Sequence, residues 1–267
     1  MSNARSALTR IGHGLALFLG IDAEKGPVRA VLEIAAVLAI SFASTTALAQ
    51  PFYVPSGSMQ PTLAIGDAFV AAKYPYGYSR YSVPFAIGPD SKERLLQKMP
   101  KVGDVVVFRL PRDPSQTLVK RVIGLPGDRI QMRAGRLWIN DKELTLKPDG
   151  SGTVEAEDGT QTTSPKFIET LPNGVKHPIF KWTWTGPLDD TPAFAVPAGH
   201  IFLMGDNRDN SLDSRVPADE GGVGFVPVEN LVGRAEFVVG SYDFLNAHHV
   251  WAWLAEFRLS RFFNGID

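Results

Sequence analysis

The sequence contains no cysteine, which excludes a disulfide framework, a thiol nucleophile and a Cys-ligated metal. Charge is also sparse: 21% of the 267 residues are Asp, Glu, Lys or Arg, and the formal net charge is -1. That balance excludes a nucleic-acid partner held by phosphate contacts. From Ile34 to Gly66 there is no charged residue at all. What the chain does have is a hydrophobic content of 44%, which argues against global disorder, with 25 glycines and 20 prolines. So many turn-formers fit short strands better than long helices.

The uncharged stretch opens with IAAVLAISFASTTALA. Read with Val31 and Leu32, it predicts one membrane span over residues 31–52, since a span takes roughly 20 apolar residues and Glu33 can sit at an interface. Arg5, Arg10, Lys25 and Arg29 precede it, and the first basic residue afterwards is Lys73. The positive-inside rule therefore predicts a cytoplasmic segment 1–30 and an outside location for the rest. Two other readings stay open. Ala47-Leu48-Ala49 before Gln50 has the form of a signal-peptide cleavage site, and the run could be a buried helix of a soluble protein. Leu15–Ile21 is apolar but too short to cross, and reads as a cytoplasmic or interfacial helix.

Beyond the span, short strands punctuated by turns predict a mainly β, antiparallel, barrel-like domain over 53–247, with a β-rich insertion at about 129–204. The strand candidates are FVAAK (69–73), VVVFRL (105–110), TLVKRVIGL (117–125), Ile130–Met132, Leu137–Ile139, Glu143–Leu146, HIFLM and RAEFVVG. Asn140-Asp141 marks a turn, and Asn173-Gly174 a hairpin between FIETL and VKHPIF. Ser91–Met99 reads as a short helix stopped by Pro100, and Lys147–Val196 as polar, then proline-rich. In the tail, 248–267, Val250–Phe263 reads as a helix. Trp251, Trp253, Phe262 and Phe263 would suit a membrane interface, with Arg258 and Arg261 reaching headgroups. Packing on the protein body is the other reading.

Three clusters carry possible chemistry: PSGSMQPTL (55–63), KRVIGLPGD (120–128) and GDNRDNSLDSR (205–215). Alone, the first is a serine-containing turn, and the second places a lysine on a strand. The third could be an Asp/Asn-rich calcium loop, but it lacks EF-hand spacing and its arginines would repel a cation. In this order, the three closely resemble the motifs of bacterial type I signal peptidases, the Ser–Lys membrane endopeptidases. The resemblance covers the span and most of Phe52–Val239.

The resemblance implies that Ser58 is the nucleophile and Lys120 the general base. It further implies that Ser56 and the Ser58 backbone N–H form the oxyanion hole. Ser211 would orient the lysine, Asp213 and Arg215 would brace the third loop, and Arg121 would support the base. Asp206 and Arg208 would turn that loop against the core. Met59, Phe52, Val54, Leu63 and Val119 match positions that wall the family's shallow substrate pockets, which accept A-x-A cleavage sites. No cofactor or metal is implied. The partners would be preproteins carrying signal peptides and membrane lipids, with the chain a monomer anchored once in a bacterial inner membrane and its catalytic domain on the periplasmic side. Many members have two N-terminal spans, whereas one is convincing here. Some Gram-negative members carry a disulfide in the insertion, which this chain cannot.

The chemistry makes a separate demand. A serine hydroxyl needs a neighbour to take its proton, and a lysine does so only when neutral, which burial in apolar surroundings promotes. Val119, Val122, Ile123, Met59 and Phe52 are candidates for that dry shell. Rival readings are a catalytically inactive anchored scaffold or binding module, a calcium-binding module, a self-cleaving repressor or another Ser–Lys acylase. The penicillin-recognising acylases place lysine three residues after the serine, where this chain has Pro61.

Overall fold

The computed structural model describes residues 27–83, 93–242 and 257–266. The Leu15–Ile21 run and residues 250–256 of the expected tail helix lie outside them. The chain divides into two compact units, one ending at Thr46 and the other starting at Ala47.

The first unit contributes α1 (Pro27–Ala47), a 21-residue helix rich in Ala, Leu, Ile and Val. Arg29 and Glu33 form an i,i+4 pair at 3.2 Å. Near the end, the hydroxyls of Ser44 and Thr45 each donate to the Ser41 carbonyl at 2.9 Å. Val31, Leu32, Leu38 and Ile40 are exposed. Among the described residues no helix is long and apolar enough to cross a membrane. Within the stretch expected to span, 31–52, the helix stops at Ala47 and residues 49–53 are a strand, so its helical part ends short of the expected bound. Glu33 and the Ser/Thr-rich end dilute the apolar run.

The second unit is mainly β. β1 (Ala49–Tyr53), β2 (Asp67–Ala72), β3 (Val105–Leu110) and β4 (Asp113–Gly124) come first. The insertion holds β5 (Arg129–Arg133), β6 (Arg136–Ile139), β7 (Lys142–Glu143), β8 (Thr145–Glu155), β9 (Gln161–Thr170), β10 (Lys176–Phe180) and β11 (Phe194–Ala195). β12 (His200–Met204), β13 (Val226–Pro227) and β14 (Leu231–Ser241) follow. The main sheet has the order β1-β2-β14-β3-β4-β12-β13; the insertion builds two small sheets, β10-β9-β8 and β11-β5-β6-β7. The strand pairings are antiparallel. The main sheet begins on β1 and ends on the two-residue β13, so it stays open. That corrects the expected barrel-like closure.

β3 is buried along most of its length, as its unbroken apolar run VVVFRL requires of a strand covered on both faces. Val105 and Val107 join Met59, Leu63 and Phe69 in one core cluster. Val106 and Phe108 join Val122, Leu203 and Leu231 in another. A third, around Ile130, Leu137 and Phe202, sits under the insertion. Asn140 and Asp141 both take positive φ at the β6–β7 turn, the conformation Asn and Asp tolerate best after Gly.

Two expectations fail in this unit, and the stretch read as polar carries strands of the expected β-rich insertion. Residues 93–99 form no helix; Leu95 instead makes a β-bridge to Tyr78. Arg94 explains it: the buried guanidinium donates to the carbonyls of Gly77 and Leu231, each at 2.7 Å, and its donors are met only with the chain extended there. The polar stretch after Lys147 holds the long β8–β9 hairpin, hidden in the sequence because Pro148, Gly150 and Gly152 interrupt its alternation. The described part of the tail carries a bridge from Phe257 to Tyr242 and a 3-10 turn, Leu259–Arg261, with no α-helix. Its arginines point inward: Arg261 Nε donates to Asp67 at 2.8 Å, and Arg258 Nε to the Ser241 hydroxyl at 2.9 Å.

Candidate active site

The first motif folds as a 3-10 turn, Gly57–Met59, entered through Ser56 in extended conformation. Met59 and Leu63 are fully buried and pin the turn to the core. Ser58, directly before Met59, is left facing β4. There Lys120 stands opposite Val106 in the register, on the same strand face as Leu118 and Val122 by alternation. The Lys120 Nζ and the Ser58 Oγ are hydrogen-bonded at 2.5 Å.

Lys120 is 4% exposed. Burial lowers its pKa from 10.5 to about 8, against the carboxylates of Asp213 and Asp206, which pull it up; Arg215 adds to the lowering. No carboxylate forms an ion pair with its ammonium among the described residues, so desolvation wins.

The third motif braces the Ser58 turn from the other side. The backbone N–H of Asn207 donates to the Ser58 carbonyl at 3.1 Å, and its Nδ2 to the Gly57 carbonyl at 3.0 Å. This close approach needs Gly205: a Cβ there would lie 2.2 Å from the Ser211 Oγ and 2.5 Å from the Ser58 carbonyl oxygen. Gln60 holds the turn to the insertion. Its amide donates to the Glu155 carbonyl and accepts from the Glu155 N–H, both at 3.1 Å.

Behind the site runs a buried ionic network. Arg121 donates twice to Asp206, at 2.8 Å each, and to the Gly103 carbonyl at 2.7 Å. Arg208 makes a two-pronged contact with Glu169 at 2.8 and 2.5 Å. His177 lies between the pairs, 3.3 Å from Glu169 and 3.4 Å from Asp206. Asp213 accepts from the Gly205 N–H at 3.0 Å and from Arg215 Nε at 2.8 Å. Burial alone would raise the Glu169 carboxyl, but Arg208 and His177 hold it at about 2. Arg121 likewise overcomes burial to hold Asp206 well below the usual carboxylate range. Among the described residues no group of three or more His, Asp or Glu is arranged to hold a metal.

Two cavities meet at Ser56, Ser58, Leu118 and Lys120. One, of about 150 Å³, is walled by Phe52, Val54, Phe69, Val107 and Val119. The other, of about 430 Å³, mixes charged and polar walls with apolar ones and runs past Arg112, Gln116, Glu157, Asp209 and Ser211, with Leu110, Leu212 and Val223.

Of the residues singled out in the sequence, Ser56, Ser58 and Lys120 come together, and Phe52, Val54 and Val119 line the small cavity. Met59 and Leu63 do not line it; both are core. Ser211 reaches the larger cavity, but its buried Oγ has no hydrogen-bond partner and makes no bond to Lys120. Arg121, Asp213 and Arg215 lie in the buried network. Sequence reasoning missed Asn207 and Gln60, though both stand inside the motifs. It also missed Glu169 and His177, for which no local signal exists.

The model of the family described as "Signal peptidase, peptidase S26" matches residues 28–240. The signal peptidase I of Rickettsia typhi is 38% identical over 249 residues, covering 86% of this chain and 90% of its own length. That of Rickettsia akari is 41% identical over 209 residues, covering 76% and 75%. A crystal structure of a signal peptidase I from Enterococcus faecalis is 26% identical, covers 51% of this chain and 97% of its own, and gives a TM-score of 0.30. The chain belongs to the signal peptidase family, peptidase S26.

Proposed function

We propose that this chain removes N-terminal signal peptides from preproteins, with Ser58 as nucleophile and Lys120 as general base. The observation that carries this reading is the 2.5 Å contact between the Lys120 Nζ and the Ser58 Oγ in a corner dry enough to lower the amine to about 8. A neutral amine takes the Ser58 proton as the oxygen attacks a peptide carbonyl. Ser58 stands second in its 3-10 turn, where no intrahelical carbonyl serves its N–H. That N–H and the Ser56 hydroxyl are the donors for the oxyanion. The tetrahedral species collapses to an acyl-enzyme, the charged Lys120 gives its proton to the leaving amine, and the regenerated base activates water for deacylation. Ser211 is a positioning residue in this scheme, while Asp213 and Arg215 hold its loop.

The small cavity accounts for the substrate class. About 150 Å³ between Phe52, Val54, Phe69 and Val119 admits small apolar side chains upstream of the bond and excludes large ones by overlap. An A-x-A cleavage site meets that requirement, and the dyad needs no cofactor and no second copy of the chain.

The segment through α1 holds the enzyme at the bacterial inner membrane, with the catalytic unit on the outer face. The support is the set of exposed apolar side chains on α1 and the basic residues Arg5, Arg10, Lys25 and Arg29 before it. Extraction of the membrane fraction with alkaline carbonate tests this: retention in the pellet is expected, and release to the supernatant contradicts it.

The catalytic reading is tested with the purified protein in detergent and an exported preprotein bearing A-x-A. Cleavage after the second alanine is expected, with loss in a folded Lys120→Ala variant. Unaltered cleavage by that variant overturns it.

A further inference from the structure

The geometry points to a binding trough for the substrate segment downstream of the scissile bond, built between the β3–β4 turn and the β8–β9 hairpin of the insertion. In it, Arg112 and Glu157 read the charge of the first residues of the released chain. This rests on the proteolytic reading above and deepens it.

A peptide whose carbonyl sits at Ser58 must leave the nucleophile in both directions. The two cavities there share only Ser56, Ser58, Leu118 and Lys120, so they are successive stretches of one path across the dyad. If the small apolar cavity takes the upstream residues, the larger, mixed cavity of about 430 Å³ takes the downstream ones.

Its walls add charged side chains to apolar ones such as Leu110 and Val223. Arg112, in the turn after β3, and Glu157, in the turn after β8, are both exposed, and neither has an ion-pair or hydrogen-bond partner among the described residues. Asp209 is already committed: it accepts from Lys181 Nζ at 2.9 Å and from the Trp182 N–H at 2.7 Å. Arg112 and Glu157 are therefore the charges left free to meet a substrate.

The hairpin wall is also held in place. The double amide bond between Gln60 and the Glu155 backbone fixes the end of β8 two residues from Glu157 and two residues from Ser58. The insertion is thus tied to the nucleophile turn at the point where its tip enters the cavity.

The test compares kcat/KM for preproteins carrying Asp, Ser or Lys at the first three positions after an A-x-A site, in the parent, Arg112→Glu and Glu157→Lys. The readout is the Asp-to-Lys preference within each enzyme, so altered expression or overall rate cancels. Arg112→Glu should shift that preference toward Lys by about fivefold, and Glu157→Lys toward Asp by a similar factor, the scale of an exposed charge pair. Both shifts should shrink with added salt. The same charges placed upstream of the bond should give no shift. A downstream preference identical in all three enzymes, with A-x-A cleavage intact, overturns the trough alone; a parent that cleaves none of the substrates overturns the proteolytic reading beneath it.

Discussion

Lys120 and Arg121 are neighbours on β4, both buried, and their surroundings treat them in opposite ways. Arg121 is surrounded by acceptors: two Asp206 oxygens and the Gly103 carbonyl. Its charge is fully compensated, and it ties β4 to the third motif. Lys120 has the Ser58 hydroxyl in reach and no ion pair among the described residues, so burial pushes it toward neutrality. The alternation of a strand allows both, because consecutive side chains leave on opposite faces. One face compensates a buried charge; the other leaves a buried amine shifted toward neutrality.

The largest effect expected from breaking this contrast is on catalysis. Ser58→Ala and Lys120→Ala should each lower kcat by roughly 10⁴-fold or more in a cleavage assay, because residues acting as one unit fail together. Lys120→Arg should be equally inactive, since a guanidinium stays protonated. Activity in Lys120→Arg would mean that the cation, and not the neutral amine, is used.

On the other face the effect should fall on stability. Asp206→Ala leaves Arg121 buried without its carboxylate and should cost about 3–5 kcal/mol, seen as a lowered Tm or denaturation midpoint. Acid should act in the same way. The folded-state values of Asp206 and Glu169 are depressed, so their contribution is present above the ordinary carboxylate range and lost as pH falls toward about 2. A Tm unchanged between neutral pH and pH 3 would contradict the network.

Smaller changes sharpen the picture at Ser58. Ser56→Ala removes one oxyanion donor and should lower kcat about 10²–10³-fold with little change in KM. The smallest shift is expected from Asp213→Asn, which removes the foremost carboxylate raising Lys120. The midpoint of the pH–activity curve should move to lower pH, and a move to higher pH would contradict that assignment.

The same contrast marks what the sequence makes legible. The dyad was readable because Ser58 and Lys120 stand in long, distinctive motifs, and β3 and β12 because their apolar runs leave few alternatives. The turn at Asn140-Asp141 was readable from local backbone preference. The partner of Arg208 and the histidine between the pairs were not, since Glu169 and His177 arrive through the β9–β10 pairing of a hairpin far away in the chain. Arg94 misled the helix expectation over 91–99, because a carbonyl shell around a buried guanidinium is a tertiary fact. An open sheet and a barrel share the same strand pattern; only the pairing of β1 and β13 separates them. Met59 and Leu63 were placed at a pocket wall by the resemblance to the family, whereas the tight turn sends both side chains into the core.

The pH dependence of kcat/KM between pH 6 and 10 tests the central claim most directly. A neutral Lys120 acting on Ser58 predicts a tenfold rise per pH unit on the acid side, levelling at about pH 8. A profile flat across this range, or one still rising past pH 10 like an ordinary solvated lysine, would contradict it.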